Sequence, residues 1–187
     1  MTLILASASP RRAELLSSAG FEFEVAPADV DETVLAGETP KAYALRVARD
    51  KAVRVASCRK SGSVVLAADT VVVADGSILG KPVDANDARS MLKTLAGAVH
   101  EVHTAVVVRN GHRERSEVVT TRVRLLPLTD NEIAWYVATG EGEGKAGAYA
   151  IQGRAARFVD WIEGSWSNVV GLPIATVHQL LKEVDAD

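Results

Sequence analysis

Residues 64–74 read VVLAADTVVVA, a nearly continuous apolar run that is interrupted by Asp69 and Thr70. Such a run is typical of a central strand whose two faces are both buried. A carboxylate is out of place there, because burying an unpaired charge costs several kcal/mol or shifts the pKa until the group is neutral. Asp69 is therefore expected to have a basic partner, to bind a metal or to open into a cleft. The alternative is a structural ion pair at a strand end.

The residues that follow this run predict a tight hairpin. Asp75-Gly76 is a typical two-residue turn, and it leads into a short strand over residues 77–80. In regular pairing Lys81 would face Thr70 and so lie within one residue of Asp69, although a neighbouring glycine and proline disfavour regular pairing. Lys81 is thus either a site residue or a solvated lysine of an edge strand.

Around the central strand, strand-like and helix-like segments alternate, which indicates an α/β fold. Further strands are expected over residues 3–6, 21–25, 100–109, 117–125 and 157–162. Helices are expected to start near capping residues or prolines, at Pro10, Pro40, Asp84, Thr129 and Pro173. Neither a repeat nor a long linker divides the chain, so we expect one domain over residues 1–187.

Composition narrows the class of protein. The chain has 187 residues, which suits one domain or two lobes that share a core. Its 21 Lys+Arg against 24 Asp+Glu give a net charge of −3, which argues against a general nucleic-acid binder. The single Cys58 excludes a disulfide framework and a cysteine-based zinc cage. Because no apolar run approaches ~18 residues and the start lacks a basic signal-peptide region, we expect a cytoplasmic protein that binds no membrane.

The segment from Ser7 to Arg12, which reads SASPRR, is a candidate anion site between a strand and a helix. Unpaired backbone N–H groups and the positive end of the helix dipole favour an anion there. The hydroxyls of Ser7 and Ser9 can add donors, and Arg11 and Arg12 can add charge-assisted bonds to a phosphate. The alternative is that Ser9 merely caps the helix and both arginines are solvated.

Three more residues are weaker candidates. Lys51 flanks the apolar stripe of its predicted helix, so it either reaches a site or keeps its ammonium in water. Asp31 and Glu32 lie in an acidic loop whose oxygens would suit Mg²⁺ or Mn²⁺, although such loops are usually just solvated.

The histidines do not predict a zinc site. His100 and His103 belong to the predicted strand over residues 100–109, but they are three residues apart and so face opposite sides of it.

Several blocks of the sequence, in matching order, resemble the Maf family. They are LASASPRR at 5–12, ADTVV at 68–72, GKP at 80–82, KAGAYAIQG at 145–153 and GSWSNVVGLP at 164–173. The resemblance spans essentially the whole chain. It implies a mixed elongated β-sheet flanked by helices, with two lobes around a nucleotide-binding cleft, as in inosine triphosphate pyrophosphatases. The family also carries an older label as septum-formation inhibitors.

The resemblance also implies roles for the candidate residues. Asp69 is expected to act as a general base, as a metal ligand or as both, with Glu32 as the second metal carboxylate and Asp31 in reserve. Mg²⁺ or Mn²⁺ is the expected cofactor. Gln152 is expected to read the edge of the base. The remaining substrate-binding residues are expected to be Ser7, Ser9, Arg11, Arg12, Lys51, Thr70 and Lys81.

The implied activity is hydrolysis of a nucleoside triphosphate to the monophosphate and pyrophosphate. Arg11, Thr70 and the IQG segment at 151–153 resemble the branch that acts on dTTP and UTP. Two alternatives stay open: the same chemistry on a modified nucleotide such as 7-methyl-GTP, and a non-catalytic nucleotide-binding regulator of cell division. The nucleoside triphosphate is the expected partner, and a homodimer is left open.

Overall fold

The computed structural model describes residues 2–59 and 62–186, and within them the chain forms a mixed α/β fold. The strands are β1 (Thr2–Leu5), β2 (Glu24–Val25), β3 (Ser63–Ala74), β4 (Ser77–Leu79), β5 (Val99–Asn110), β6 (Arg113–Leu125) and β7 (Val159–Glu163). The helices are α1 (Pro10–Ser18), α2 (Pro40–Ala56), α3 (Ala85–Leu95), α4 (Asp130–Ala138), α5 (Trp166–Val170) and α6 (Ile174–Ala186). Two short 3₁₀ helices cover Ala146–Ala148 and Arg154–Phe158.

These strands belong to one sheet of order β2-β1-β3-β5-β6-β7, with β4 paired to β3. β1 is parallel to both β2 and β3, whereas β3 with β4 and β6 with β7 are antiparallel. The sheet is therefore mixed and helix-flanked, which confirms the fold class predicted from the sequence.

The central strand and its hairpin are confirmed in detail. β3 is buried along most of its length. At the turn, φ is 48° at Asp75 and 75° at Gly76, the left-handed values that a type I′ hairpin requires. The ladder pairs Ala74 with Ser77 and Val72 with Leu79, so Lys81 lies beyond the last paired residue of the described ladder, with Gly80 between them.

Other boundaries differ from the prediction for identifiable reasons. The predicted strand over 21–25 is reduced to β2, because Phe21 and Phe23 pack against the core instead of extending the ladder. The predicted strand over 157–162 begins as the 3₁₀ turn at Arg154–Phe158 and becomes extended at Val159. The predicted caps are present: Asp84 accepts two backbone N–H groups of α3, and Thr129 forms a capping box with Glu132.

The chain divides into two compact units. Unit 1 consists of the segment up to Thr70, the segment Thr104–Val119 and the segment from Gly171 onward. Unit 2 consists of Val71–His103 and Thr120–Val170. The core of unit 1 brings together β1, β3, β5, α1 and α6 through buried apolar side chains that include Leu5, Leu16, Leu66, Val106, Leu172, Val177 and Val184. Among the helices formed by residues 2–59 and 62–186, none is long and apolar enough to cross a membrane.

Candidate active site

An ion pair inside unit 1 forms the centre of the candidate site. Asp69 on β3 and Lys51 on α2 are each 8% exposed. The Lys51 Nζ donates a hydrogen bond to Asp69 Oδ1 at 2.8 Å. The ammonium thus points inward, and the alternative in which it stays in water is wrong. The intruding carboxylate in the central strand has the basic partner that its burial demands.

Glu32 reaches the same ammonium. Its Oε1 lies 2.6 Å from Lys51 Nζ, although its side chain is 41% exposed. The Tyr43 hydroxyl of α2 donates to the Glu32 carbonyl oxygen at 2.9 Å, which fastens the acidic loop to the helix that carries Lys51. Asp31 turns away instead and accepts the Thr33 N–H at 2.9 Å. Of the two acidic candidates, the structure places Glu32 beside the Asp69–Lys51 pair.

Burial sets the protonation behaviour of this cluster. Burial raises the pKa of Asp69, while the charges of Lys51 and Arg12 act in the opposite direction. Burial, followed by the charges of Asp69 and Glu32, raises the pKa of Tyr43 to about 12. Tyr43 therefore stays a hydrogen-bond donor at neutral pH, and Asp69 becomes a stronger base than an exposed carboxylate.

Arg12 is built into the protein interior rather than solvated. It is 9% exposed, and its Nε donates to the Gly171 carbonyl oxygen at 2.8 Å. Its Nη1 donates to Ser7 Oγ at 3.2 Å and its Nη2 to Thr70 Oγ1 at 3.0 Å. Thr70 Oγ1 lies a further 2.9 Å from Thr104 Oγ1. Burial lowers the pKa of Arg12, and the Asp69 carboxylate opposes this shift. Arg12 therefore connects the segment up to Thr70 with the segment from Gly171 onward, and Thr70 extends this network to Thr104 in the remaining segment of unit 1.

The turn before α1 is shaped by Ser7. The Ser9 N–H donates to the buried Ser7 Oγ at 3.2 Å. Ser9 occupies the predicted N-cap position, but its hydroxyl makes no capping bond to the described backbone. Arg11 is half-buried, and its charge contributes to the lowered pKa of Arg12. The arginines thus differ: Arg12 is committed to protein groups, and Arg11 lies nearer the surface.

Lys81 and Gln152 belong to unit 2, where both are exposed. Just before Lys81, the Gly80 carbonyl oxygen accepts the Gly147 N–H at 3.1 Å. This bond ties the GKP segment to the KAGAYAIQG segment within unit 2. Lys81 and Gln152 stay predicted substrate contacts.

The turn that carries Gln152 depends on Glu141. Glu141 Oε2 accepts the Arg154 N–H at 2.9 Å, and Oε1 accepts the Tyr136 hydroxyl at 3.0 Å. A Cβ at Gly153 would lie 2.4 Å from Glu141 Oε1, so this close approach requires glycine. The sequence analysis did not identify Glu141, because its partners lie elsewhere in the chain, where no local pattern could indicate them.

The carboxylates of Asp69 and Glu32 could bind a hard cation if a ligand supplied further oxygen atoms. Within residues 2–59 and 62–186, no three His, Cys, Asp or Glu side chains converge to hold a metal ion. Asp69 and Glu32 nevertheless both contact the Lys51 ammonium. Mg²⁺ is commonly bound by one or two carboxylates together with substrate phosphates. These residues therefore fit a divalent cation that is bound jointly by the protein and a phosphorylated ligand.

The described features are those of an α/β protein with a buried Asp–Lys pair, a second carboxylate and an arginine-rich helix start. A family model described as Maf-like protein matches residues 2–184. A dTTP/UTP pyrophosphatase of Anaeromyxobacter dehalogenans is 55% identical, over 96% of this chain and 92% of its own. The enzymes of the same name from Geotalea uraniireducens and Geobacter sulfurreducens are 54% and 50% identical, each over 98% of this chain and over 95% and 97% of their own lengths. The chain therefore belongs to the Maf family, as its motifs predicted.

Proposed function

We propose that this protein hydrolyses dTTP and UTP between the α- and β-phosphates, releasing the nucleoside monophosphate and pyrophosphate. The observation that carries the proposal is the buried Asp69, held by Lys51 beside Glu32. The names of the relatives, dTTP/UTP pyrophosphatase, support the choice of substrate. A non-catalytic regulator is disfavoured, because a protein that only binds nucleotide gains nothing from a buried anion near a triphosphate unless a metal ion is present.

In the proposed reaction Asp69 is the general base. Its raised pKa makes it a better proton acceptor, and the Lys51 contact keeps it ionised before the reaction. The oxygen of a water molecule forms a bond to phosphorus as the bond to the α–β bridging oxygen breaks. The water proton passes to Asp69, and pyrophosphate leaves with the bridging oxygen. Positioning and charge neutralisation supply most of the acceleration in such transfers.

The phosphate-binding residues are proposed to act in two ways. Ser9, Arg11 and Lys81 contact phosphate oxygens through hydrogen bonds and charge, which oppose the negative charge of the triphosphate. Arg12 supports Ser7 and Thr70 from the interior, as its three hydrogen bonds indicate. Gln152 is proposed to pair with the base, because its amide offers both a donor and an acceptor.

A divalent cation, Mg²⁺ or Mn²⁺, is part of this proposal. Asp69 and Glu32 would hold it, and when bound it supplies charge neutralisation at the triphosphate. Activity is expected to disappear in EDTA and to return when Mg²⁺ or Mn²⁺ is added in excess. Tightly bound zinc in the purified protein would contradict this assignment. A cytoplasmic location and a homodimer stay predictions.

A substrate panel tests the proposal. Purified protein is incubated with dTTP, UTP, 7-methyl-GTP and the standard purine triphosphates, and the products are separated by ion-exchange chromatography. We expect monophosphate and pyrophosphate from dTTP and UTP, at rates well above those for 7-methyl-GTP. Formation of a diphosphate and inorganic phosphate would contradict the cleavage position. Nucleotide binding without turnover would support the regulator instead.

A further inference from the structure

One buried ammonium serves both carboxylates of the candidate site. Lys51 Nζ is 2.8 Å from Asp69 Oδ1 and 2.6 Å from Glu32 Oε1. The side chains of Lys51 and Asp69 are each 11% exposed, so water screens this pair little, whereas the Glu32 side chain is 41% exposed. The Arg12 guanidinium adds positive charge close enough to affect the pKa of Asp69. Without nucleotide, the charges of Lys51 and Arg12 thus roughly offset those of the two carboxylates.

An ammonium and a divalent cation compete for the same lone pairs. Lys51 Nζ contacts one oxygen of each carboxylate, Asp69 Oδ1 and Glu32 Oε1, and carboxylate oxygens are the ligands that a hard cation prefers. A divalent cation brought between them would also meet the charge of Lys51 at short range, where repulsion in a poorly screened site is strong. Lys51 and the cation therefore exclude each other between Asp69 and Glu32.

We infer that Lys51 is an internal counter-ion that makes cation binding conditional on the triphosphate. Lys51 blocks the carboxylate pair until the nucleotide arrives with its cation. It then leaves Asp69 and Glu32, and its ammonium donates to a phosphate oxygen. This inference rests on the proposed function, and it assigns to Lys51 the order in which cation and nucleotide bind.

Cation binding in the absence of nucleotide tests this inference without any turnover. Electron paramagnetic resonance measures unbound Mn²⁺ in titrations of wild-type protein and the Lys51→Met variant. The double variant Lys51→Met/Glu32→Gln shows whether any gained site uses Glu32. Lys93→Met is the matched control, because Lys93 Nζ contacts a single exposed carboxylate, Asp130, at 2.7 Å. Circular dichroism establishes that each variant is folded.

Wild-type protein is expected to bind Mn²⁺ no tighter than about 1 mM, the weak end of oxygen-ligand sites. Lys51→Met is expected to bind it about tenfold more tightly or better, because a buried positive charge has been removed. The double variant should lose that gain, and Lys93→Met should behave as wild type. Equal or weaker binding by folded Lys51→Met overturns the inference.

The titration of wild-type protein can still overturn the inference about Lys51 if the Lys51→Met variant does not fold. Micromolar Mn²⁺ binding that disappears in Glu32→Gln would show that Lys51 does not block the pair. Such a result would leave the proposed function standing, provided that wild-type protein still converts dTTP to the monophosphate and pyrophosphate. Absence of that conversion would instead refute the proposed function, whatever the affinity for Mn²⁺.

Discussion

Arg12 Nε donates to the carbonyl oxygen of Gly171 at 2.8 Å, a hydrogen bond between residues that lie 159 positions apart. The glycine is required at this point, because its φ of +124° is unfavourable for other residues. The same guanidinium holds Ser7 and Thr70. A residue of the first helix thus fixes the segment that leads into the last one.

Arg12 and Arg11 are therefore expected to respond differently to alanine substitution. Arg12→Ala should lower the free energy of unfolding by about 2–4 kcal/mol, because a buried network loses its donor. Arg11→Ala should change it by less than about 1 kcal/mol and instead slow turnover about tenfold or more, as expected for a lost charge-assisted phosphate contact. Urea denaturation and steady-state kinetics on both variants measure this. Equal stability losses would contradict the distinction.

Asp69→Asn is expected to reduce turnover about 100-fold or more, the range attributed to a lost general base. The free energy of unfolding should change little, because the substitution is nearly isosteric and Lys51 keeps its contact with Glu32. The matched control is Asp130→Asn, which removes an exposed carboxylate paired with Lys93. It should leave both quantities unchanged. A variant that keeps a tenth of wild-type turnover would show that Asp69 is neither the base nor an essential ligand.

Gly153→Ala tests the support of the Gln152 turn. The added Cβ would lie 2.4 Å from Glu141 Oε1, so the Glu141 carboxylate has to leave its partners. Losing hydrogen bonds to a charged group is expected to cost about 1.5–3 kcal/mol of unfolding free energy. The KM for dTTP should rise as well. Gly80→Ala is the control, because nothing lies within 4 Å of its added Cβ. Similar effects of the two substitutions would refute the role of Glu141.

The buried His100 predicts a loss of stability at acidic pH. Burial lowers the pKa of His100 to about 4, and its Nε2 lies 2.8 Å from the Tyr149 hydroxyl. An unfolded histidine titrates near 6.5, so the unfolded state gains a proton first as the pH falls. Stability from this group is complete above about pH 6.5 and decreases toward pH 4. Between pH 7 and pH 5 the expected loss is about 2 kcal/mol.

Urea denaturation of wild type and His100→Gln at these two pH values checks this effect. The variant lacks the titrating group, so its stability should fall by about 2 kcal/mol less than that of wild type over the same interval. Parallel losses would show that carboxylates, and not His100, determine the acid sensitivity.

Local patterns predicted much of this fold because the interactions behind them are local. The hairpin at Asp75-Gly76 and the capping box at Thr129 each depend on residues within a few positions. The same holds for Asp69, whose position in an apolar strand indicated a basic partner, a bound metal or a cleft. Only the structure identifies Lys51 as the basic partner.

Contacts between distant residues could not be predicted in this way. Nothing near Arg12 indicates that Gly171 will accept its hydrogen bond, and nothing near Glu141 indicates the Arg154 N–H. The preference for Glu32 over Asp31 came from the family resemblance, and the contact that fixes this loop, from the Tyr43 hydroxyl to the Glu32 carbonyl oxygen, is seen only in the structure. Charge and spacing alone do not distinguish Asp31 from Glu32 as a candidate metal ligand.

The assembly of unit 1 from three separated segments has a consequence during synthesis. Leu5 and Leu16 are buried against Val177 and Val184, which emerge from the ribosome long after them. All of unit 2 is translated in between. The apolar face of the early segments therefore stays uncovered while unit 2 is being translated, a state in which nascent chains are prone to aggregate. Unit 1 can complete its core only after α6 has emerged from the exit tunnel.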